Sequence, residues 1–178
     1  MADILSDIQR HNCMSRVKSK DTKPETLLRN ALWRLGFRYH VNDKRLPGSP
    51  DIVLPKYRTA IFVHGCFWHG HKGCERFTIP QTNTDFWTVK ITRNQQRDQD
   101  VWRQLEAKGW SVLIVWECEL KKATLESTVN RVRAEILQNG DFYHSVREER
   151  RRALQAYQHM RRQQREKDAV LMAELKGL

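Results

Sequence analysis

No stretch of this 178-residue chain is long and apolar enough to span a bilayer, which excludes a helical membrane anchor. Met1 to Arg10 carry no apolar run behind a basic start, so no secretory signal is read there. The chain holds no internal repeat. Cysteine is scarce, with four in all. With no export signal the expected compartment is the reducing cytoplasm. Four cysteines there read as metal ligands or buried thiols rather than as a disulfide framework. Acidic residues are also in short supply: 21 Asp and Glu stand against 32 Lys and Arg, a formal charge of +11. That balance points to a polyanionic partner, most often nucleic acid, and fits a membrane surface less well. At 39% hydrophobic residues, the chain suits one modest core with a long tail better than two domains.

Residues 1 to 20 read as a basic arm, with Arg10, Arg16, Lys18 and Lys20, in which Cys13 has no partners. Thr22-Lys-Pro-Glu25 has the spacing of a capping box with proline just inside a helix. Leu27, Leu28, Ala31, Leu32 and Leu35 follow at helical spacing, and Gly36 ends the run. The alternation of Phe37, Tyr39 and Val41 predicts a half-buried strand. Asp51 to Leu54 and Ala60 to His64 predict an antiparallel hairpin. Thr84 to Lys108 reads as a helix interrupted near Thr92. Ser111 to Trp116 reads as a central strand buried on both faces, and Thr124 to Leu137 as a further amphipathic helix. The domain proper is expected over residues 21–140. Residues 141–178 form a charged, helical extension with a net charge of +3, read as a solvated helix with DNA contact as the other reading.

The Cys66, His71 and Cys74 spacing lets one loop wrap a tetrahedral ion, and Cys118 can supply a fourth ligand if its strand neighbours that of His64. Three thiolates and an imidazole form a closed set with no open position, which suits a structural Zn²⁺. The loop has little apolar content, so a metal supplies order that packing cannot. Asp51 follows a rigid turn, Leu46-Pro-Gly-Ser-Pro50. A carboxylate and a backbone carbonyl on adjacent strands can hold Mg²⁺, and a nearby histidine can then deprotonate water. An aspartate after a turn is, however, more often a cap.

Pro47-Gly-Ser-Pro-Asp51, Phe62-Val-His64-Gly-Cys-Phe-Trp-His69-Gly-His71, Asp85-Phe-Trp87 and Val115-Trp-Glu-Cys118 resemble the very-short-patch repair DNA mismatch endonucleases. The resemblance runs from about Asn12 to Gln138, and the run from His64 to His69 is its most specific part. It implies an α/β, restriction-endonuclease-like fold: a central mixed sheet flanked by helices, with a structural zinc site. It implies a Mg²⁺-dependent enzyme acting on double-stranded DNA with a T:G mismatch, nicking one strand 5′ to the T. Asp51 and the main-chain carbonyl of Val63 match the metal ligands. Best-known relatives carry Thr in place of Val63, a change a backbone ligand tolerates. His69 matches the general base, Asp98 the carboxylate that orients it, and His64 a second active-site histidine. Glu25 matches an acidic position near the metal, beside its capping role. Lys72-Gly73 lengthens the zinc loop relative to some relatives, so Cys74 is the expected ligand, while both His69 and His71 remain within reach as the fourth. Phe67, Trp68 and Trp87 match residues that intercalate into DNA; Trp33, Trp102, Trp110 and Trp116 are expected in the core. A monomer suffices for a single-strand nick, with repair proteins as further partners. The alternative activity is sequence-specific nicking within a restriction or phage-defence system.

Overall fold

The structure is a computed structural model, and it describes residues 20–176, with side chains to residue 166. The basic arm and Cys13 lie outside the described residues except for Lys20. The chain divides into two compact units, Met1–Asn139 and Gly140–Leu178.

The first unit is a small α/β fold. Helix α1 spans Lys23–Arg34 and starts as the sequence predicts: Thr22 is its N-cap and accepts from the Glu25 amide (3.5 Å), with Pro24 in the first turn. The Glu25 carboxylate reaches back to the Asp21 amide (3.0 Å). Leu28 and Leu32 are fully buried, and Gly36, at φ 87°, takes the left-handed turn that ends the helix.

Strands β1 (Ile52–Leu54), β2 (Thr59–His64) and β3 (Ser111–Trp116) form one mixed sheet in the order β1-β2-β3. β1 and β2 are antiparallel, with Ile52 opposite Ile61. β2 and β3 are parallel and in step, from Thr59 opposite Ser111 to His64 opposite Trp116. Helix α2 (Thr84–Ala107) supplies the crossover. On one face of the sheet Ile61 and Val115 pack with Leu28, Leu32, Val132 and Ile136, so α1 and the start of helix α3 (Leu125–Lys176) cover it. On the other, Ala60 and Phe62 pack with Leu105, Val101 and Trp102 of α2. Among the described residues no helix is long and apolar enough to cross a membrane.

Five expectations need correction. Phe37 to Val41 forms no strand, only a bridge between His40 and Val53. The alternation fails at Val41, which is 48% exposed, and the left-handed Asn42 turns the chain away after a single pairing. Helix α2 is unbroken at Thr92, because a β-branched residue lowers helix propensity by only about 0.5 kcal/mol, and Ile91 and Leu105 are both buried. The central strand is β2, while β3 is the sheet edge and only partly buried. Trp33 is 52% exposed, standing beside the Leu28–Leu32 stripe with the Arg38 guanidinium over its ring at 3.9 Å. Trp102, Trp110 and Trp116 are partly buried. The last amphipathic helix does not stop at Leu137 but continues through Gly140 to Lys176.

Candidate active site and metal centre

Sheet register decides what meets at the C-terminal ends of β2 and β3. Glu25 on α1, Asp51 just before β1, Val63 and His64 at the end of β2, His69 in the following loop and Asp98 on α2 all line one cleft of about 820 Å³. The Val63 amide donates to Asp51 Oδ2 at 2.7 Å. In an extended strand the carbonyl leaves by the same edge as the amide, so the Val63 carbonyl faces the Asp51 side as well.

Burial pushes the Asp51 carboxyl up to about 6; the bond from Val63 opposes this and the neighbouring Glu25 adds to it. A cation beside Asp51 would favour its charged form against that burial. Part of that role falls to Arg29, which the sequence analysis did not single out. Arg29 is buried, donates to the Glu25 carboxylate (3.0 Å) and sends two bonds to the Asp51 carbonyl (3.1 and 3.3 Å). The available signal was its place four residues after Glu25 on the same helix.

His69 Nδ1 stands 2.5 Å from Asp98 Oδ2. Burial works against the Asp98 charge, but the bond to His69 and the nearby cations hold its pKa below the ordinary carboxylate value. With Nδ1 committed to Asp98, Nε2 is the nitrogen left to accept a proton. His64 stacks beneath His69 with ring centroids 3.7 Å apart. Its pKa is lowered to about 3, by burial first and the His69 charge second, and its buried Nδ1 has no partner. His64 is thus an uncharged floor for the ring above it.

Helix α2 fixes the loop that carries His69. Asn94 donates to the Trp68 carbonyl (3.0 Å), and Gln95 to the carbonyls of His69 and Gly70 (both 3.3 Å). With Asp98 one turn on, the three form a single face, a spacing visible in the sequence once Asp98 is given a role. Gly70, at φ 64°, leaves no room for a Cβ against Gln95.

The other end of the loop builds the second cluster. The donor atoms of Cys66, His71, Cys74 and Cys118 lie within 4.8 Å of one another. His71 Nδ1 is 3.5 Å from Cys66 Sγ and 3.4 Å from Cys118 Sγ. A sulfur and a nitrogen bound to one tetrahedral Zn²⁺ stand about 3.6 Å apart, so the residues fit that ion. Of the two candidate histidines, His71 stands among the thiols and His69 on Asp98. His71 also stacks flat on Trp116 at 4.0 Å, which fixes its ring. Burial pushes the Cys66 thiol up to about 12, a state that a bound cation reverses by favouring the thiolate. Glu117 joins the two clusters: it accepts the Cys66 amide (3.1 Å) and lines the cleft.

Phe67, Trp68 and Trp87 meet as one partly exposed aromatic group. Ring centroids are 5.2 Å from Phe67 to Trp68, 5.1 Å from Phe67 to Trp87 and 6.1 Å from Trp68 to Trp87. Trp68 lines the cleft; the other two extend the group away from it, towards Phe86, which is 60% exposed.

Residues 2–76 match the family model described as DNA mismatch endonuclease Vsr. A type II nicking enzyme of Neisseria meningitidis is 51% identical over 137 residues, 76% of this chain and 97% of the relative, so about 40 residues here have no counterpart in it. One from Xanthomonas oryzae is 48% identical over 67% of this chain and 88% of its own length. The DNA mismatch endonuclease Vsr of Escherichia coli is 41% identical over 79% of this chain and 91% of the relative. Identity at this level across nearly whole relatives leaves one conclusion: the chain belongs to the Vsr family and is an endonuclease.

Proposed function

We propose that this endonuclease nicks one strand of duplex DNA 5′ to the T of a T:G mismatch, by Mg²⁺-dependent hydrolysis of a phosphodiester, and so initiates very short patch repair. One observation carries the reading: Asp51, His69 and Asp98 face a single cleft, whose wall includes Trp68 of the aromatic group.

In this reading Asp51 and the Val63 carbonyl hold Mg²⁺, with Glu25 nearby, and the ion supplies positive charge for the scissile phosphate. His69 Nε2 takes the proton of the attacking water. Asp98 fixes the tautomer and stabilises the imidazolium that forms. His64, uncharged, adds no repulsion to that imidazolium. Cys66, His71, Cys74 and Cys118 hold Zn²⁺, which supplies order to the loop and no chemistry. Phe67, Trp68 and Trp87 wedge between base pairs, where a mismatch lowers the work of unstacking. The fold supporting this is the restriction-endonuclease-like one, here with residues 21–140 as the nuclease domain. The enzyme acts in the cytoplasm as a monomer, with repair proteins joining after the nick.

A nicking assay on matched and T:G duplexes, with and without Mg²⁺, tests the reading. Cutting confined to the mismatched strand, dependent on Mg²⁺ and lost in Asp51→Ala, is expected. The names of several relatives favour a second reading, in which the enzyme is a nicking partner of a restriction system. Equal cutting of a fully paired duplex would decide for site-specific nicking and against mismatch repair.

A further inference from the structure

Helix α3 beyond Gly140 bears a charge arrangement that the nuclease chemistry does not use. At about 100° per residue, Arg147, Arg150, Arg151, Arg161, Arg162 and Arg165 fall within an arc of about 120°. Glu148, Glu149 and Glu166 all lie outside that arc, and so does Arg152. A helix evolved only for solubility has no need to sort its charges this way, since mixed signs serve equally well. The stripe runs for about 27 Å at 1.5 Å per residue, and all six arginines are exposed. Arg151 and Arg162 touch Glu148 and Glu166, with N–O distances of 3.8 and 3.0 Å, and Arg161 touches the Tyr157 hydroxyl. Among the described residues Arg147, Arg150 and Arg165 have no carboxylate partner.

We propose that this arginine face is a second DNA-binding surface, which grips phosphates of duplex DNA without reading its sequence. The occupant follows from charge complementarity: the enzyme's substrate is a polyanion, and guanidinium groups bind phosphate oxygens in pairs. Tyr157, Met160 and Phe142, exposed on a neighbouring strip of the helix, make a protein partner the competing occupant.

The two occupants give different salt dependence. Each phosphate contact contributes about 0.9 to the slope of log K against log salt. The test variant is Arg147→Gln, Arg150→Gln, Arg161→Gln and Arg165→Gln combined in the full-length enzyme. It should bind a matched duplex on the order of 10- to 100-fold more weakly near physiological salt, with a slope shallower by about 2 to 4. KM for nicking should rise by a similar factor while kcat at saturating DNA holds. The ratio of mismatched to matched cutting should not change, because phosphate contacts carry no sequence information. The matching set of Arg→Lys changes should retain most of the affinity, and Arg152→Gln should leave the slope unchanged. A Gln variant with parental affinity and slope would overturn the proposal. So would a variant whose slope is unchanged while its mass in solution falls, since that outcome assigns the helix to a protein contact.

Discussion

Asp51 is held where its charge is unwelcome, between a buried Glu25 and the end of a strand, so the metal-free protein carries a strain that can be measured. Its folded pKa of about 6 lies above the ordinary 3.8. Below 3.8 both folded and unfolded states are protonated and nothing is lost. As pH rises from 3.8 to 6 the unfolded state ionises first, stability falls, and the full loss is present above 6. The displacement corresponds to roughly 3 kcal/mol at most. Asp51→Asn should therefore melt at a higher temperature than wild type at pH 8 in the presence of a chelator. That gain should shrink below pH 6 and vanish below 4, although nicking is lost throughout. Equal melting at pH 8 would contradict this account of the site. Asp98→Asn should act differently. It leaves the His69 ring in place but reverses the tautomer preference, so single-turnover nicking should fall by about 10²- to 10⁴-fold with little change in DNA affinity. An unchanged rate would remove Asp98 from the mechanism. Asp98 drew notice through resemblance alone, whereas Asp51 was already a candidate through the rigid turn before it. Arg29 was not, because a basic residue next to an apolar helical stripe looks like surface until Asp21, Glu25 and the Asp51 carbonyl are seen around it.

The loop between β2 and α2 is held at both ends, by α2 through Asn94, Gln95 and Asp98 and by the thiol cluster through Cys66 and Cys118. Metal removal should therefore release the whole segment. Cys118→Ser should lose bound zinc in elemental analysis, melt at a lower temperature and stop nicking. A zinc-free variant with full activity would separate the two clusters and refute the bracing role. The aromatic group sits on the same segment, so Phe67→Ala with Trp68→Ala should lower the preference for mismatched DNA about tenfold or more. Cutting of whatever substrate still binds should keep its Mg²⁺ dependence. At this scale the sequence was a good guide where two signals agreed. The N-cap at Thr22 and the β1–β2 hairpin both form as their residues suggest, although the Glu25 carboxylate takes the Asp21 amide rather than that of Thr22. It misled where one pattern stood alone. Three alternating residues at 37–41 do not make a strand without a partner of matching length. The unbroken apolar run at 111–116 marks an edge strand covered by a helix as well as it marks a central one, because burial by α2 and burial by neighbouring strands leave the same composition.

For the whole molecule the governing quantity is charge. With a formal +11 and cations such as Lys20, Lys90 and Arg97 around the cleft, association with DNA should release many counterions. The second-order rate of nicking, kcat/KM, should fall steeply as salt is raised, while the rate at saturating DNA changes little. A salt-insensitive kcat/KM would mean that the basic surface does not face the substrate. The contacts divide the chain at Asn139 and Gly140. The continuity of α3 across that point was not legible in the sequence, because a glycine inside a long helix reads as a stop.

The register of β2 and β3 has one more consequence. His64 lies opposite Trp116, so Cys66 and Cys118 leave the sheet each two residues past the same rung, although 51 residues separate them in the chain. A pairing displaced by one residue would shift one thiol by about 3.3 Å along the sheet relative to the other, which works against their meeting on a single ion. Ion capture would thus serve the folding chain as a proofreading step, accepting one alignment of the parallel strands and rejecting its neighbours. In refolding followed by a zinc-sensitive dye, uptake should come after the sheet forms and should commit the chain to its final topology.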